Sequence, residues 1–398
     1  MPSKQRAVRI AVALIAYFIV APLHADSVGK SEPVQTGFSV RALGTITEFF
    51  KAEVAAGKVP GVAMLVQRHG KPAYFETFGV RDAATKAPMT PDTLFRIYSM
   101  SKPVTSVAVM MLVQDGKLSL DEPLSKYIPS FAKSQVGVEV KGEDGQPTLQ
   151  FVPAARPITI QDLMRHTSGI TYSFSGRGLV NKRYADEHFF DNRLSNEEFA
   201  ERVASLPLAF QPGTTWDYSH STDVLGRVIE VVSGKSLYAF MKERIFDPMG
   251  MTHTSFYVTD AKQQPLIAEP LPNDGGSGPN AMFNPRIENK WQSGAGGLVS
   301  TIGDYSRFAQ MILNGGMLDG KRYLMPKIFT WMTSSHTGPG SGIVPGPLYL
   351  PGPGFDFALG FAVRMQPGAN PQPGRSASSI GAAPAARTSG STQGKTCT

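Results

Sequence analysis

Leu94-Phe95-Arg96-Ile97-Tyr98-Ser99-Met100-Ser101-Lys102 runs straight into Pro103 to Leu112, and this stretch decides the fold. Ser99 and Lys102 stand three apart, so a helix sets them on one face, one turn from each other. Val104, Val107, Ala108, Met111 and Leu112 spread apolar side chains over several faces of that helix, which ends near Asp115-Gly116. A helix apolar on most sides belongs in the centre of a protein. Its first turn offers free N–H groups and the positive end of the helix dipole, both of which favour negative charge at Ser99. Pro103 lies in that first turn, where few backbone donors are lost. A lysine held in a dry pocket has its charged form disfavoured and can act as a base.

The S-x-x-K spacing alone is a weak signal, because it occurs three times. Ser27 and Lys30 follow the basic-apolar leader. Ser130 and Lys133 follow Pro129 and lead into polar sequence. Only Ser99 heads a long buried helix. Without that context, a capping serine beside a surface lysine explains the spacing equally well. A second element, Trp216-Asp217-Tyr218-Ser219-His220-Ser221, comes just after Gln211-Pro212-Gly213. A tyrosine on a loop entering a helix can shuttle protons, or simply pack beside Trp216. His166 reads as closing a helix C-terminus. There is no G-x-S-x-G elbow, no H-E-x-x-H and no Walker loop, which argues against an α/β-hydrolase, a zincin and a P-loop enzyme.

The chain has 398 residues, 41% of them apolar, enough for one large domain or a domain with an inserted subdomain. Its net charge of +7 is misleading. Lys4, Arg6, Arg9, Arg375, Arg387 and Lys395 supply six of those charges, in two end segments that hold no acid. No basic stripe remains, so nucleic acid is not an expected partner. Lys4, Arg6 and Arg9 followed by the apolar run Ile10 to Val20 read as a signal peptide, with cleavage expected after Ala25. The run is short for a membrane span, so no stable span is expected after cleavage. An uncleaved anchor is the alternative. The mature chain is expected to be exported, periplasmic or secreted. Cys397 is the only cysteine, so no internal disulfide forms.

Periodicity places a helix over Arg41–Ala56 and a hairpin over Val62–Phe75, with a second hairpin over Val138–Phe151. Thr159 is expected to cap a helix running to Gly169, and Thr301 one through Ile312. Ser221–Ser233 has helical spacing. Pro265–Pro285 is a polar crossing, and Gly338–Pro353 a Gly/Pro loop. Phe355–Arg364 is a strand candidate.

These residues together resemble the serine β-lactamase and penicillin-binding superfamily, and within it the class C β-lactamases and family VIII esterases. Four stretches carry the likeness: Leu94–Lys102; Thr159–Ile170, ending His166-Thr167-Ser168-Gly169-Ile170; Gln211–Tyr218; and Gly294-Ala295-Gly296-Gly297-Leu298-Val299-Ser300-Thr301. The resemblance spans about Arg41 to Gly374. It implies an α/β fold in which an antiparallel sheet is flanked by helices, with a mostly helical subdomain and the site between them. It implies Ser99 as the acylated nucleophile, Lys102 and Tyr218 as proton-transfer partners, and the Ser99 N–H as one oxyanion donor. No metal or cofactor is called for. A small ester or amide is the expected partner, and the oligomeric state is open. The implied activity is hydrolysis through an acyl-Ser99 intermediate, with an esterase on small acyl esters foremost. A β-lactamase or D-alanyl-peptide hydrolase, an acyltransferase, and a non-catalytic ligand- or peptidoglycan-binding protein are the alternatives.

The chain departs from the family twice. β-Lactamases carry Y-x-N at the second motif, and the Asn helps hold the substrate amide. Here that position is His220, which is expected either to hydrogen-bond substrate or to cap the following helix. The family also has K-T-G, H-T-G or W-G-G on a later strand, supplying a second oxyanion N–H. After Gly374 this chain has Ser, Ala, Gly and Thr instead. A new frame begun on the third base of the Gly374 codon can read K-I-G-E-F-N-W-G-G-A-G-G-T-D-F-W-V-D-P, close to the family's continuation. Residues 41–374 are therefore expected to be a C-terminally truncated hydrolase domain, with 375–398 an aberrant disordered tail and the chain as written inactive or nearly so. A genuine Ser/Gly tail is the alternative.

Overall fold

The computed structural model describes residues 33–189, 194–271, 284–366, 368–369 and 379–380. The expected leader lies outside these residues, as does the expected tail apart from Ser379–Ile380. Most of the Pro265–Pro285 crossing lies outside them too.

Helix α1 (Val40–Ala55) starts at Ser39, whose hydroxyl accepts from the Ala42 N–H. Its Leu43 packs on Tyr74 and Phe78. These two side chains come from β2 (Lys71–Asp82), the partner of β1 (Gly61–Arg68) in the expected hairpin; β3 (Ala87–Pro88) adds a third antiparallel strand. Strand β4 (Phe95–Arg96) pairs with β8 (Val299–Ser300), so the chain just before Ser99 is tied to a segment two hundred residues away. Tyr98–Met100 form a single 3₁₀ turn, and α2 (Ser101–Gln114) continues from it. Ser99 thus sits in the tight turn leading into the helix rather than at its first residue. Every residue of α2 from Ser101 to Leu112 is buried, as its all-round apolar character requires.

Strands β5 (Gln135–Lys141) and β6 (Pro147–Pro153) form the second hairpin. The helical side of the molecule follows: α3 (Ile160–Met164), α4 (Leu179–Asp186), α5 (Asn196–Ala204), then β7 (Thr215–Trp216), α6 (Ser221–Ser233), α7 (Leu237–Met241) and α8 (Asp247–Met249). Helix α6 packs its Val224, Leu225, Val228 and Ile229 into the core shared with α2. After β8 come α9 (Ile302–Leu313), capped by Thr301 as expected, the short hairpin β9 (Met317–Leu318) and β10 (Lys321–Arg322), and α10 (Pro326–Thr333). Strand β11 (Val344–Pro345) runs parallel to β7. Strands β12 (Phe355–Phe357), β13 (Ala362–Arg364) and β14 (Ser379–Ile380) make an antiparallel sheet in that order. The α/β class is as expected.

Two expected elements are shorter than the sequence suggests. The helix capped by Thr159 stops at Met164, not Gly169. The Asp162 carboxylate accepts from the Arg165 and Thr167 side chains, and the backbone turns back through left-handed values at His166 (φ 58°) and Gly169 (φ 85°). The apolar run Phe355–Arg364 is a hairpin, not one strand, because Gly360 (φ 89°) turns the chain onto α2. A Cβ built there would lie 2.0 Å from Ser106 Oγ. An unbroken apolar run hides a turn that is itself buried.

Gly360→Ala is the direct check on that packing. The left-handed backbone costs about 1–2 kcal/mol and overpacking about 1–3 kcal/mol. Urea unfolding is therefore expected to show a loss of about 2–5 kcal/mol; an unchanged midpoint would mean the turn does not press on α2.

Candidate active site

The site forms where two distant segments meet. The 3₁₀ turn brings Ser99, the first turn of α2 brings Lys102, and the loop entering α6 brings Tyr218. Lys102 Nζ lies 3.2 Å from Ser99 Oγ, and the Tyr218 hydroxyl donates to the same oxygen at 2.7 Å. Lys102 also donates to the Ala295 carbonyl at 2.9 Å, and its ammonium stands 4.5 Å from the centre of the Tyr218 ring. The lysine is 5% exposed. The backbone before Ser99 is held on both sides: Ile97 N–H donates to Leu298, and Tyr98 adopts φ 41°, a costly conformation for an aromatic residue. Ser27 lies outside the described residues, and the Ser130 hydroxyl donates to Glu201. Of the three S-x-x-K pairs, Ser99 and Lys102 are the pair found beside Tyr218.

His166 lies beneath Tyr218, ring centres 5.1 Å apart, with Trp216 and Phe357 also against it. Its Nδ1 is 3.2 Å from Ser219 Oγ. Burial and the nearby Lys102 charge push its pKa down to about 3, so the ring is neutral at pH 7. Its part in the fold is wider than closing a helix, for it floors Tyr218.

His220 occupies the N-cap position of α6 but makes no side-chain capping bond. It is 2% exposed, and its ring lies among Tyr172, Phe189 and Phe199. Nδ1 sits 3.0 Å from an oxygen of Asp223, and burial pulls its pKa down. Of the two roles expected for it, capping the helix is replaced by a buried contact with Asp223. Tyr172 fills the space between Lys102 and His220, its ring centre 5.7 Å from the ammonium. Burial and the Asp223 charge raise its pKa well above the usual tyrosine range. Tyr172, Asp223 and Ala295 escape a motif search. Their one sequence signal is their place in or beside the stretches that carry the family likeness.

Asp217 precedes Tyr218. One oxygen accepts from Thr171 at 2.6 Å, and the other is buried without a partner among the described residues. Burial raises its pKa to about 6.

The Beta-lactamase family model matches residues 46–386. The chain belongs to the Beta-lactamase family. It is 37% identical over 274 residues to Protein Rv1367c of Mycobacterium tuberculosis, covering 68% of this chain and 67% of that one. It is 33% identical over 301 residues to the lovastatin esterase of Penicillium rubens, covering 73% and 72%. Among solved structures it is similar to EstCE1, a hydrolase with promiscuous acyltransferase activity, at TM-score 0.63 and 25% identity, covering 82% and 84%. This member of the Beta-lactamase family is a serine hydrolase with a β-lactamase/transpeptidase-like fold.

His166 and Asp217 pull stability in opposite directions with pH. The lowered pKa of His166 contributes stability that is present above about 6.5 and lost as pH falls toward about 3. The raised pKa of Asp217 contributes stability that is full below its unfolded value and lost as pH rises through about 6. Asp217→Asn removes the second effect. Between pH 6 and about 4 the variant should therefore lose stability on acidification more steeply than the parent, by up to about 1.4 kcal/mol per pH unit. Parallel urea-midpoint curves would show that Asp217 does not titrate in that window.

Proposed function

We propose that this chain is an esterase acting on small acyl esters through an acyl-Ser99 intermediate. The observation that carries the proposal is the double approach of Lys102 and Tyr218 to one oxygen, Ser99 Oγ. As Oγ bonds to the acyl carbon, its proton passes to the Lys102–Tyr218 pair. That proton goes to the alkoxide oxygen as the ester C–O bond breaks. Water then attacks the acyl-enzyme, gives a proton to the same pair, and Ser99 recovers it. The Ser99 N–H serves as an oxyanion donor at the head of the helix. The inward turn of His220 favours esters over β-lactams, since the position that carries Asn in β-lactamases is committed to Asp223 and not to a substrate amide. The leader adds an exported location, with the mature chain starting near Asp26; N-terminal sequencing that finds Met1 retained in the cytoplasm would contradict it.

A second proposal concerns the tail, and Arg364 favours it. This arginine is fully buried on β13, 4.6 Å from the Phe355 ring, and none of its three guanidinium nitrogens has a hydrogen-bond partner among the described residues. A buried cation ordinarily needs a counter-ion. The sequence holds no Asp or Glu after Asp356. Val363 faces Ser379 in the β13–β14 register, the last described pair on the Arg364 side. In the shifted frame begun at Gly374 the fourth residue, which falls at 378, is a glutamate. This supports the reading that 375–398 is out of frame and that the chain as written lacks the W-G-G motif and turns over poorly.

Both readings are tested together. The 398-residue chain and its frame-shifted counterpart are compared on short p-nitrophenyl esters, with and without an acceptor alcohol, and on a chromogenic β-lactam. The shifted form is expected to be the more active by about 10²-fold or more, as for a restored oxyanion donor, and to prefer esters. In it, Ser99→Ala should abolish turnover, while Lys102→Ala and Tyr218→Phe each lose about 10²–10⁴-fold. Equal activity of the two forms would sink the frame reading, and an active Ser99→Ala the esterase mechanism.

A further inference from the structure

Lys102 is aimed by a carboxylate it never touches. We infer that Asp223 is a positioning residue, acting on Lys102 through the Ala295–Gly296 peptide; the inference rests on the role proposed for Lys102. Asp223 stands in the first turn of α6 and is 3% exposed. One of its oxygens accepts from Ser293 Oγ at 2.5 Å and from the Ala295 N–H at 3.2 Å. The Gly296 N–H in turn donates to Ser293 Oγ at 3.1 Å. That N–H belongs to the same peptide plane as the Ala295 carbonyl, which receives Lys102 at 2.9 Å. A continuous path of donors and acceptors therefore runs from the Lys102 ammonium through one peptide and one hydroxyl to a carboxylate. Each bond in such a path polarises the next.

The peptide planes on either side of Ala295 are thus both tied to Asp223, one directly and one through Ser293. The far side of the loop is held by α2, where Thr105 donates to the Gly294 carbonyl and Ser101 accepts from the Leu298 N–H. A carbonyl fixed this firmly takes one ammonium proton in a set direction. The tetrahedral geometry of Nζ then directs another at Ser99 Oγ, 3.2 Å away. The spare Asp223 oxygen is occupied by His220 Nδ1, which holds the carboxylate from the opposite side. His220 so enters the same assembly two steps removed from the reacting atoms.

Asp223→Ala, Asp223→Asn and Ser293→Ala distinguish positioning from simple support of the fold. The variants are made in the more active of the two tail forms. Asparagine keeps a neutral acceptor at the oxygen that holds Ser293 and Ala295, so Asp223→Asn should retain kcat within about tenfold, whereas Asp223→Ala loses about 10²-fold with KM little changed. Ser293→Ala cuts the Gly296 arm alone and is expected to lower kcat about tenfold in a protein with parental melting. In the Lys102→Ala background neither change should lower the rate further. Crystal structures give a readout independent of activity, for the Lys102–Ala295 contact should be lost in Asp223→Ala and kept in Asp223→Asn. A parental kcat in Ser293→Ala together with an intact Lys102–Ala295 contact in Asp223→Ala overturns the inference. A fully active Lys102→Ala overturns the catalytic role of Lys102 instead, and the two failures are separate results.

Discussion

A primary ammonium buried in an apolar core is tolerated only if its protons meet acceptors, because transfer of an unpaired charge out of water costs several kcal/mol. Lys102 imposes that constraint here. It stands in the first turn of the buried helix α2, and its head reaches two oxygen acceptors and the aromatic faces of Tyr218 and Tyr172. Each of these comes from a different part of the chain. Ser99 arrives on the 3₁₀ turn, Ala295 on the loop before β8, and Tyr218 on the loop before α6. The tertiary structure around α2 can be understood as the means of delivering them, with the β4–β8 pairing and the Ser101 and Thr105 hydrogen bonds fixing the loop that carries Ala295.

The same charge governs its neighbours. Two histidines lie within its field, and both have pKa values driven down, by burial first and by Lys102 in addition. Neutral rings can pack as aromatic surfaces, and they do, His166 under Tyr218 and His220 among Tyr172, Phe189 and Phe199. The carboxylate of Asp223 is kept one peptide away from the ammonium. An ion pair in direct contact would tie Lys102 to Asp223 and leave less of it for Ser99. The peptide between them passes on orientation without capturing the proton.

Much of this was legible in the residues. The Ser99–Lys102 spacing means little by itself, but a helix apolar all round fixes both its burial and its role, and Ser221–Ser233 is helical over the span its periodicity marks. Tyr218 could be found because it precedes that helix. The contact between His220 and Asp223 could not, since i, i+3 pairs of polar residues at helix starts are common and their burial depends on what packs over them. The split of Phe355–Arg364 was hidden for a related reason: Gly360 turns toward the core, so no polar residue marks the turn. The Ala295 carbonyl is backbone and has no sequence signature beyond the small residues that let the loop approach α6, where a Cβ at Gly294 would stand 2.7 Å from the Thr222 carbonyl oxygen.

The two buried cations differ in how the described residues satisfy them. Lys102 donates to oxygens that are themselves held in place, and the wall built from α2, the Ala295 loop and the α6 entry supports itself. Arg364, on β13, has an aromatic face and no acceptor among the described residues. Since an unmatched buried donor carries its full desolvation penalty, the difference between the two cannot be a matter of taste in packing. Ser99, Lys102 and Tyr218 sit on the satisfied side. The missing acceptor is thus confined to the β13 side of the described residues, apart from the cluster of Ser99, Lys102 and Tyr218.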